Sequence, residues 1–148
     1  MSSVEATTGE LLPVSILAQG AYLIASVHTA LDDGQLARFQ QDLIDRIGQE
    51  RARGVIIDVA ALDVLDSYGS RMLQDLGQVA RLRGAETVIV GIQAEVAYAM
   101  VRFGIGLTGM HTALDLEEGL AVLNQMTQSG TAAPRRTPGS VGPYRRTR

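Results

Sequence analysis

The apolar positions of this chain change period several times, and each change marks an element. Leu12-Pro13-Val14-Ser15-Ile16-Leu17 predicts a first strand, with Pro13 near its start, where a missing N–H is tolerated. Gln19-Gly20 predicts a turn. Ala21 to Val27 predicts a second strand, close enough to pair with the first as a hairpin. Asp32-Asp33-Gly34 then breaks the pattern, and acids before a periodic run mark a helix start. Leu36, Phe39, Leu43, Ile44 and Ile47 follow at spacings of three and four, an amphipathic helix. Arg51-Ala52-Arg53-Gly54 predicts its end, with cations in the last turn and glycine beyond.

The second half alternates strands and helices. Val55-Ile56-Ile57-Asp58-Val59 is a β-branched run suited to a buried central strand. Ala60 to Asp66 predicts a loop, and Ser67 to Arg83 a helix with Met72, Leu73, Leu76, Val79 and Ala80 inward and Gly84 ending it. Thr87 to Gly91 predicts another buried strand. Ala94 to Phe103 predicts a short helix through Val96, Ala97, Met100 and Val101. A short strand follows around Met110-His111-Thr112. Asp115-Leu116-Glu117-Glu118 opens a last helix with Leu116, Leu120, Leu123 and Met126 inward. The order β-β-α-β-α-β-α-β-α predicts an α/β domain: a mixed, mostly parallel sheet beginning with a hairpin and packed by about four helices. Residues 1–11 are expected as a flexible start, 12–128 as the domain, and 129–148 as a disordered Arg/Pro/Gly-rich tail.

Composition narrows the chemistry. The 148 residues contain no cysteine, no tryptophan and no lysine, since all 13 basic residues are arginine. Disulfides, thiol nucleophiles, zinc-thiolate sites, Schiff bases and Walker A loops are thereby excluded. The formal charge of −3 is unevenly spread. Residues 1–130 hold eight arginines against 16 acids, a net of −8. Residues 131–148 hold Arg135, Arg136, Arg145, Arg146 and Arg148 and no acid. An acidic body disfavours nucleic acid as a partner and suits a protein with a basic docking face. No signal peptide or membrane-length apolar run is present, so a cytoplasmic protein without membrane contact is expected. The tail reads by default as a solvated extension, or as an electrostatic tether to an acidic partner, RNA or neighbouring acidic domains.

The most informative segment is Leu62-Asp63-Val64-Leu65-Asp66-Ser67-Tyr68-Gly69-Ser70-Arg71, which joins a buried strand to a helix. Sites in parallel α/β sheets sit at the carboxyl ends of strands. From position alone, Ser67 as a helix N-cap is the preferred reading. The functional reading uses the same geometry: an exposed hydroxyl at a helix N-terminus, where free N–H groups stabilise phosphate. Asp32 and Asp33 read as helix caps, with a place on a docking rim near Ser67 compatible with capping. Asp58 reads as a turn former. His28 and His111 have no partner spacing, so no metal is expected. Ser67 lacks the Gly-x-Ser-x-Gly elbow of a hydrolase, and Gly104-Ile105-Gly106 lacks the rest of a dinucleotide fingerprint. No catalytic residue and no cofactor are expected.

Four stretches carry a family resemblance: Gly54-Val55-Ile56-Ile57-Asp58; Asp66-Ser67 with Arg71; Val88-Ile89-Val90-Gly91-Ile92-Gln93; and His111 to Leu120. Together they resemble the STAS-domain anti-sigma-factor antagonists, over roughly residues 12–127, and within them the RsbS-like stressosome branch. The resemblance implies a binding module and not an enzyme. It implies Ser67 as the acceptor for a GHKL-type, RsbT-like serine kinase, with Asp63, Asp66, Tyr68, Gly69, Ser70, Arg71, Asp32 and Asp33 docking partners around it. The unphosphorylated protein would hold the kinase together with RsbR-like co-antagonists, phosphorylation would release it, and a phosphatase would reset the system. A homo-oligomer is implied as well. Classical antagonists often read Asp-Ser-Ser-Gly-Leu at this point, so Tyr68 is a departure beside the acceptor. About ten residues precede the first strand, too few for the sensor domain of RsbR-type paralogues. Two alternatives stay open: a STAS module with an output other than a sigma factor, and a small nucleotide-binding α/β protein.

Overall fold

The computed structural model describes residues 13–136, with side chains to residue 128. Five strands form one sheet in the order β1-β2-β3-β4-β5. β1 (Val14–Gln19) and β2 (Tyr22–Val27) form an antiparallel hairpin, with Gln19 opposite Tyr22. β3 (Gly54–Asp58), β4 (Glu86–Val90) and β5 (His111–Ala113) then add in parallel. Consecutive strands are neighbours throughout, so each crossover helix packs beside the strands it joins. The helices are α1 (Asp33–Glu50), α2 (Ser67–Leu82), α3 (Ala94–Arg102) and α4 (Leu116–Arg136). This is the mixed, hairpin-led, four-helix α/β arrangement that the order of periods predicts.

The sheet is buried on both faces. One core joins Leu23, Ala25, Val55, Ile57 and Ile89 to Phe39, Leu43 and Ile47 of α1 and to Leu73, Leu76 and Ala80 of α2. The other joins Ile24, Ile56, Val88 and Val90 to Leu123 of α4. Alternate residues of β3 thus serve opposite cores, which explains its unbroken apolar run. Fully burying each such side chain stabilises the fold by about 1.5–3 kcal/mol.

Several expectations change in detail. The first strand starts at Val14 rather than Leu12 and runs to Gln19. The first helix closes at Glu50 through Arg51, whose φ of 53° and ψ of 45° are left-handed. Gly54, expected as its stop, instead opens β3, and Leu123 packs so close that a Cβ there would meet its methyls at 2.8 and 2.9 Å. In α3, Val96 and Met100 are buried, whereas Ala97 and Val101, expected inward, are exposed. Leu116 is also partly exposed, at 37%. The last helix outlasts its expected boundary: its backbone continues through residues 129–136. Extending a helix adds a hydrogen bond per residue with no new nucleation. The expected flexible start at 1–11 and the rest of the tail, 137–148, lie outside the described residues.

Candidate functional site

Three helices, α1, α2 and α4, begin at the carboxyl edge of the sheet, each directly after an aspartate. At α2 that residue is Asp66, with extended backbone (φ −85°, ψ −179°) and Oδ1 accepting the N–H of Gly69 at 2.8 Å. The Ser70 N–H donates to the Asp66 carbonyl at 2.9 Å, the first turn of the helix. Asp66 therefore holds the capping position, and Ser67 becomes the first helical residue. Its hydroxyl has no capping duty, and its side chain is exposed. The N–H groups of Ser67 and Tyr68, ahead of the first intrahelical bond, point out of the helix end.

The loop before Ser67 is fixed from three sides. Asp58 Oδ1 accepts the N–H of Ala60 at 2.9 Å, the turn expected of it. The Val59 N–H donates to the Val90 carbonyl at 3.0 Å. Gln93 Nε2 donates to the Ala60 carbonyl at 2.8 Å and to Asp63 Oδ1 at 3.4 Å. Gly91 lets the two loops meet: its φ is 81°, and a Cβ there would lie 2.9 Å from that of Ala60. A larger residue would face both a strained backbone and a clash. The loop ahead of Ser67 and the start of α3 are thus held together.

Between them runs an open cleft of about 480 Å³, lined by Asp63, Val64, Leu65, Asp66 and Ser67 on one side and Glu95, Val96, Ala99, Phe103 and Ile105 on the other. The three carboxylates are exposed, as are Val64 at 68% and Phe103 at 75%. The walls are apolar and the rim is acidic. The α3 side of this cleft is absent from the sequence-derived site. One signal of it exists: α3 and its cap carry Tyr98, Val101 and Phe103 outward in addition to Val96 and Met100 inward. A short helix apolar on both sides has a second surface to cover or to offer.

The structure sorts the remaining expected residues. Arg71 is exposed one turn after Ser67, on the same helix face. Tyr68 is 43% exposed beside it. Gly69 is buried, and a Cβ there would meet Leu65 at 3.2 Å and Asp66 at 3.3 Å. Ser70 is a correction. It is 1% exposed, and its hydroxyl has no hydrogen-bond partner, so it cannot touch a docking protein. Three residues on from Ser67, it is turned toward Leu73 and the sheet.

Asp32 and Asp33 are also set apart. Asp32 closes a reciprocal box with Gln35, its Oδ1 accepting the Gln35 N–H at 2.8 Å and its own N–H donating to Gln35 Oε1 at 2.9 Å. Neither residue lines the Ser67 cleft. A smaller apolar pocket, bounded by Leu31, Leu36, Leu62 and Asp66, lies between the two helix starts. His28 lies by Ser15, with Nε2 and Oγ 3.0 Å apart, and His111 is exposed on the β5 edge. Among the described residues no three His, Cys, Asp or Glu side chains are grouped to hold a metal, and no helix is long and apolar enough to cross a membrane.

Known proteins share this fold. A serine-to-glutamate variant of Moorella thermoacetica RsbS superposes with a TM-score of 0.68 and 32% identity, over 78% of this chain and 97% of that one. A chain in a structure of the stressosome, described as a signal integration and transduction hub, superposes with a TM-score of 0.62 and 30% identity, over 77% and 99%. The RsbT co-antagonist protein RsbRA of Bacillus subtilis (strain 168) is 27% identical over 97 residues, which are 66% of this chain and 35% of that protein. The chain thus spans about a third of the length of that curated relative. The SpoIIAA anti-sigma-factor antagonist, at 14% identity and a TM-score of 0.61, shares the fold. The STAS domain family matches residues 14–118, which take in all five strands, the first three helices and the Ser67 cleft, and this chain belongs to that family.

Proposed function

We propose that this chain is an RsbS-like, phosphorylation-controlled binding module of the anti-sigma-factor-antagonist type, acting in the cytoplasm, with Ser67 as its phosphoacceptor. One observation carries the reading: Asp66 takes the cap of α2, which leaves Ser67 exposed as the first helical residue at the mouth of the cleft. A kinase needs a hydroxyl it can enclose, on a segment that does not unfold when the hydroxyl is used. Ser67 meets both conditions. Its phosphate would stand beside the open N–H groups of the first turn and one helical turn from Arg71, both of which favour the anion.

The same phosphate changes what the cleft can bind. It adds about −1.5 to −2 charges beside Asp63, Asp66 and Glu95. A surface that accepts a partner through apolar walls and three carboxylates becomes far more anionic and more strongly hydrated. In this scheme the unphosphorylated module holds an RsbT-like serine kinase of the GHKL type together with RsbR-like co-antagonists. Phosphorylation lets the kinase go, and a phosphatase restores binding. The stressosome relatives and RsbRA support this assignment and an oligomeric assembly. The module contributes a surface and a hydroxyl, and the kinase contributes the catalysis.

Incubation with an RsbT-type kinase and ATP, followed by mass spectrometry, tests the assignment. A single phosphate on the peptide containing Ser67, absent in Ser67→Ala, is the expected result. Phosphate elsewhere, or equal labelling of Ser67→Ala, refutes it.

A further inference from the structure

The five arginines after residue 131 have no place in the account above, and the acidic cleft supplies one. Asp63, Asp66 and Glu95 stand exposed around it, and no arginine lines it. Among the described residues the ion pairs are Arg46–Glu50 and Arg81–Glu86, so these three carboxylates have no cation. Between them Val64 and Phe103 present apolar surface to water. The chemistry that fits is an aromatic side chain followed by arginines. The chain itself carries that pattern in Pro143-Tyr144-Arg145-Arg146-Thr147-Arg148. We infer that the cleft of one copy receives residues 143–148 of a second copy.

The path of α4 decides for a second copy over the same one. Gly119 of α4 packs beside Val90, the last residue of β4, while Asn124 and Thr127 bond Tyr22, the first residue of β2. The helix thus runs away from the carboxyl edge, where Ser67 lies, and continues to Arg136. The 17 residues from Gly119 to Arg136 carry the chain about 25 Å from that edge. The eight residues from Arg136 to Tyr144 span at most about 28 Å when fully extended. That reach is nearly spent before the chain has rounded the sheet. α4 also covers one face of the sheet, whereas Leu65, beside the cleft, packs on the other. A neighbouring copy placed end to end removes the difficulty. Such a contact is heterologous, so it builds chains or closed rings and weakens with salt.

Cross-linking between labelled copies tests this. Full-length protein with a photoreactive phenylalanine analogue at Tyr144 is mixed with isotopically heavy wild type and irradiated. Light-to-heavy cross-links into residues 63–67 and 95–105 are expected, lost in about 0.5 M salt. Cross-links only within one chain, or into other segments, or none at low salt, overturn the inference. In sedimentation, the triple variant Arg145→Ala, Arg146→Ala, Arg148→Ala is expected to self-associate about tenfold more weakly. Self-association equal to wild type also overturns it. Neither experiment uses a kinase or a phosphate, so their failure leaves the acceptor role of Ser67 untouched.

Discussion

The starts of α1 and α2 share an edge of the sheet and share a capping aspartate, yet they are finished differently. At α1 the third helical residue is Gln35, whose side chain reaches back to the Asp32 N–H and closes the box. At α4 the third residue, Glu118, reaches one residue further back, its Oε1 accepting the Leu114 N–H at 2.7 Å while Asp115 accepts the Glu118 N–H at 2.9 Å. At α2 the third residue is Gly69, which has no side chain to return. Two helix starts are closed by a side chain returning from the third helical residue, and the remaining one is held by Asp66 alone. The sealed ends are built for stability. The open end leaves Ser67 and the cleft beside it accessible to a partner.

The largest expected effect lies at the open end and is functional. Ser67→Ala should abolish phosphorylation by an RsbT-type kinase, while denaturant titration should show stability within about 0.5 kcal/mol of wild type, because the side chain is exposed and caps nothing. A large loss of stability would mean that Ser67 carries a structural bond. Next in size are the caps. Asp32→Ala, which ends a reciprocal box, should cost about 1–2 kcal/mol, and Asp66→Ala about 1 kcal/mol, by urea unfolding. Only Asp66→Ala should also alter the phosphorylation rate at Ser67, and an equal kinetic effect of both variants would erase the distinction between the two ends.

Ser70→Ala probes the buried side of the open helix. It removes a hydroxyl with no partner and should raise stability by up to about 1 kcal/mol, with Ser67 still phosphorylated. A clear loss would reveal a hydrogen bond to that hydroxyl. The smallest effect belongs to the far end of α1. Arg51→Gly should stabilise by about 0.5–1 kcal/mol, read as a rise in melting temperature, because glycine adopts the left-handed cap without a steric cost. No gain would mean that the Arg51 side chain holds contacts that offset its backbone.

Much of the site was legible because its signals are local. The strand-to-helix junction and the exposed serine follow from the apolar run of β3, the acids of the loop and the periodicity of α2. The identity of the cap was not legible, since aspartate and serine are both favoured there, and only the extended backbone of Asp66 decided between them. Ser70 was misread as part of a docking surface, although its spacing to Leu73, Gly77 and Ala80 places it on the inner face. The outward residues of α3 gave only a weak hint, because a nine-residue helix offers too few turns to separate an inner face from an outer one.

The sequence by itself determined the order of elements, the doubly buried central strands and the split between an acidic body and a basic tail. These depend on neighbours within a turn or two, or on composition. Tertiary structure decided that Ser67 faces a cleft, that Phe103 and Glu95 form its other wall, and that α4 runs away from the edge where Ser67 lies. Those facts join positions tens of residues apart, and they exist only once the sheet has set β3, β4 and β5 side by side and the Gln93 bridge has drawn two loops together.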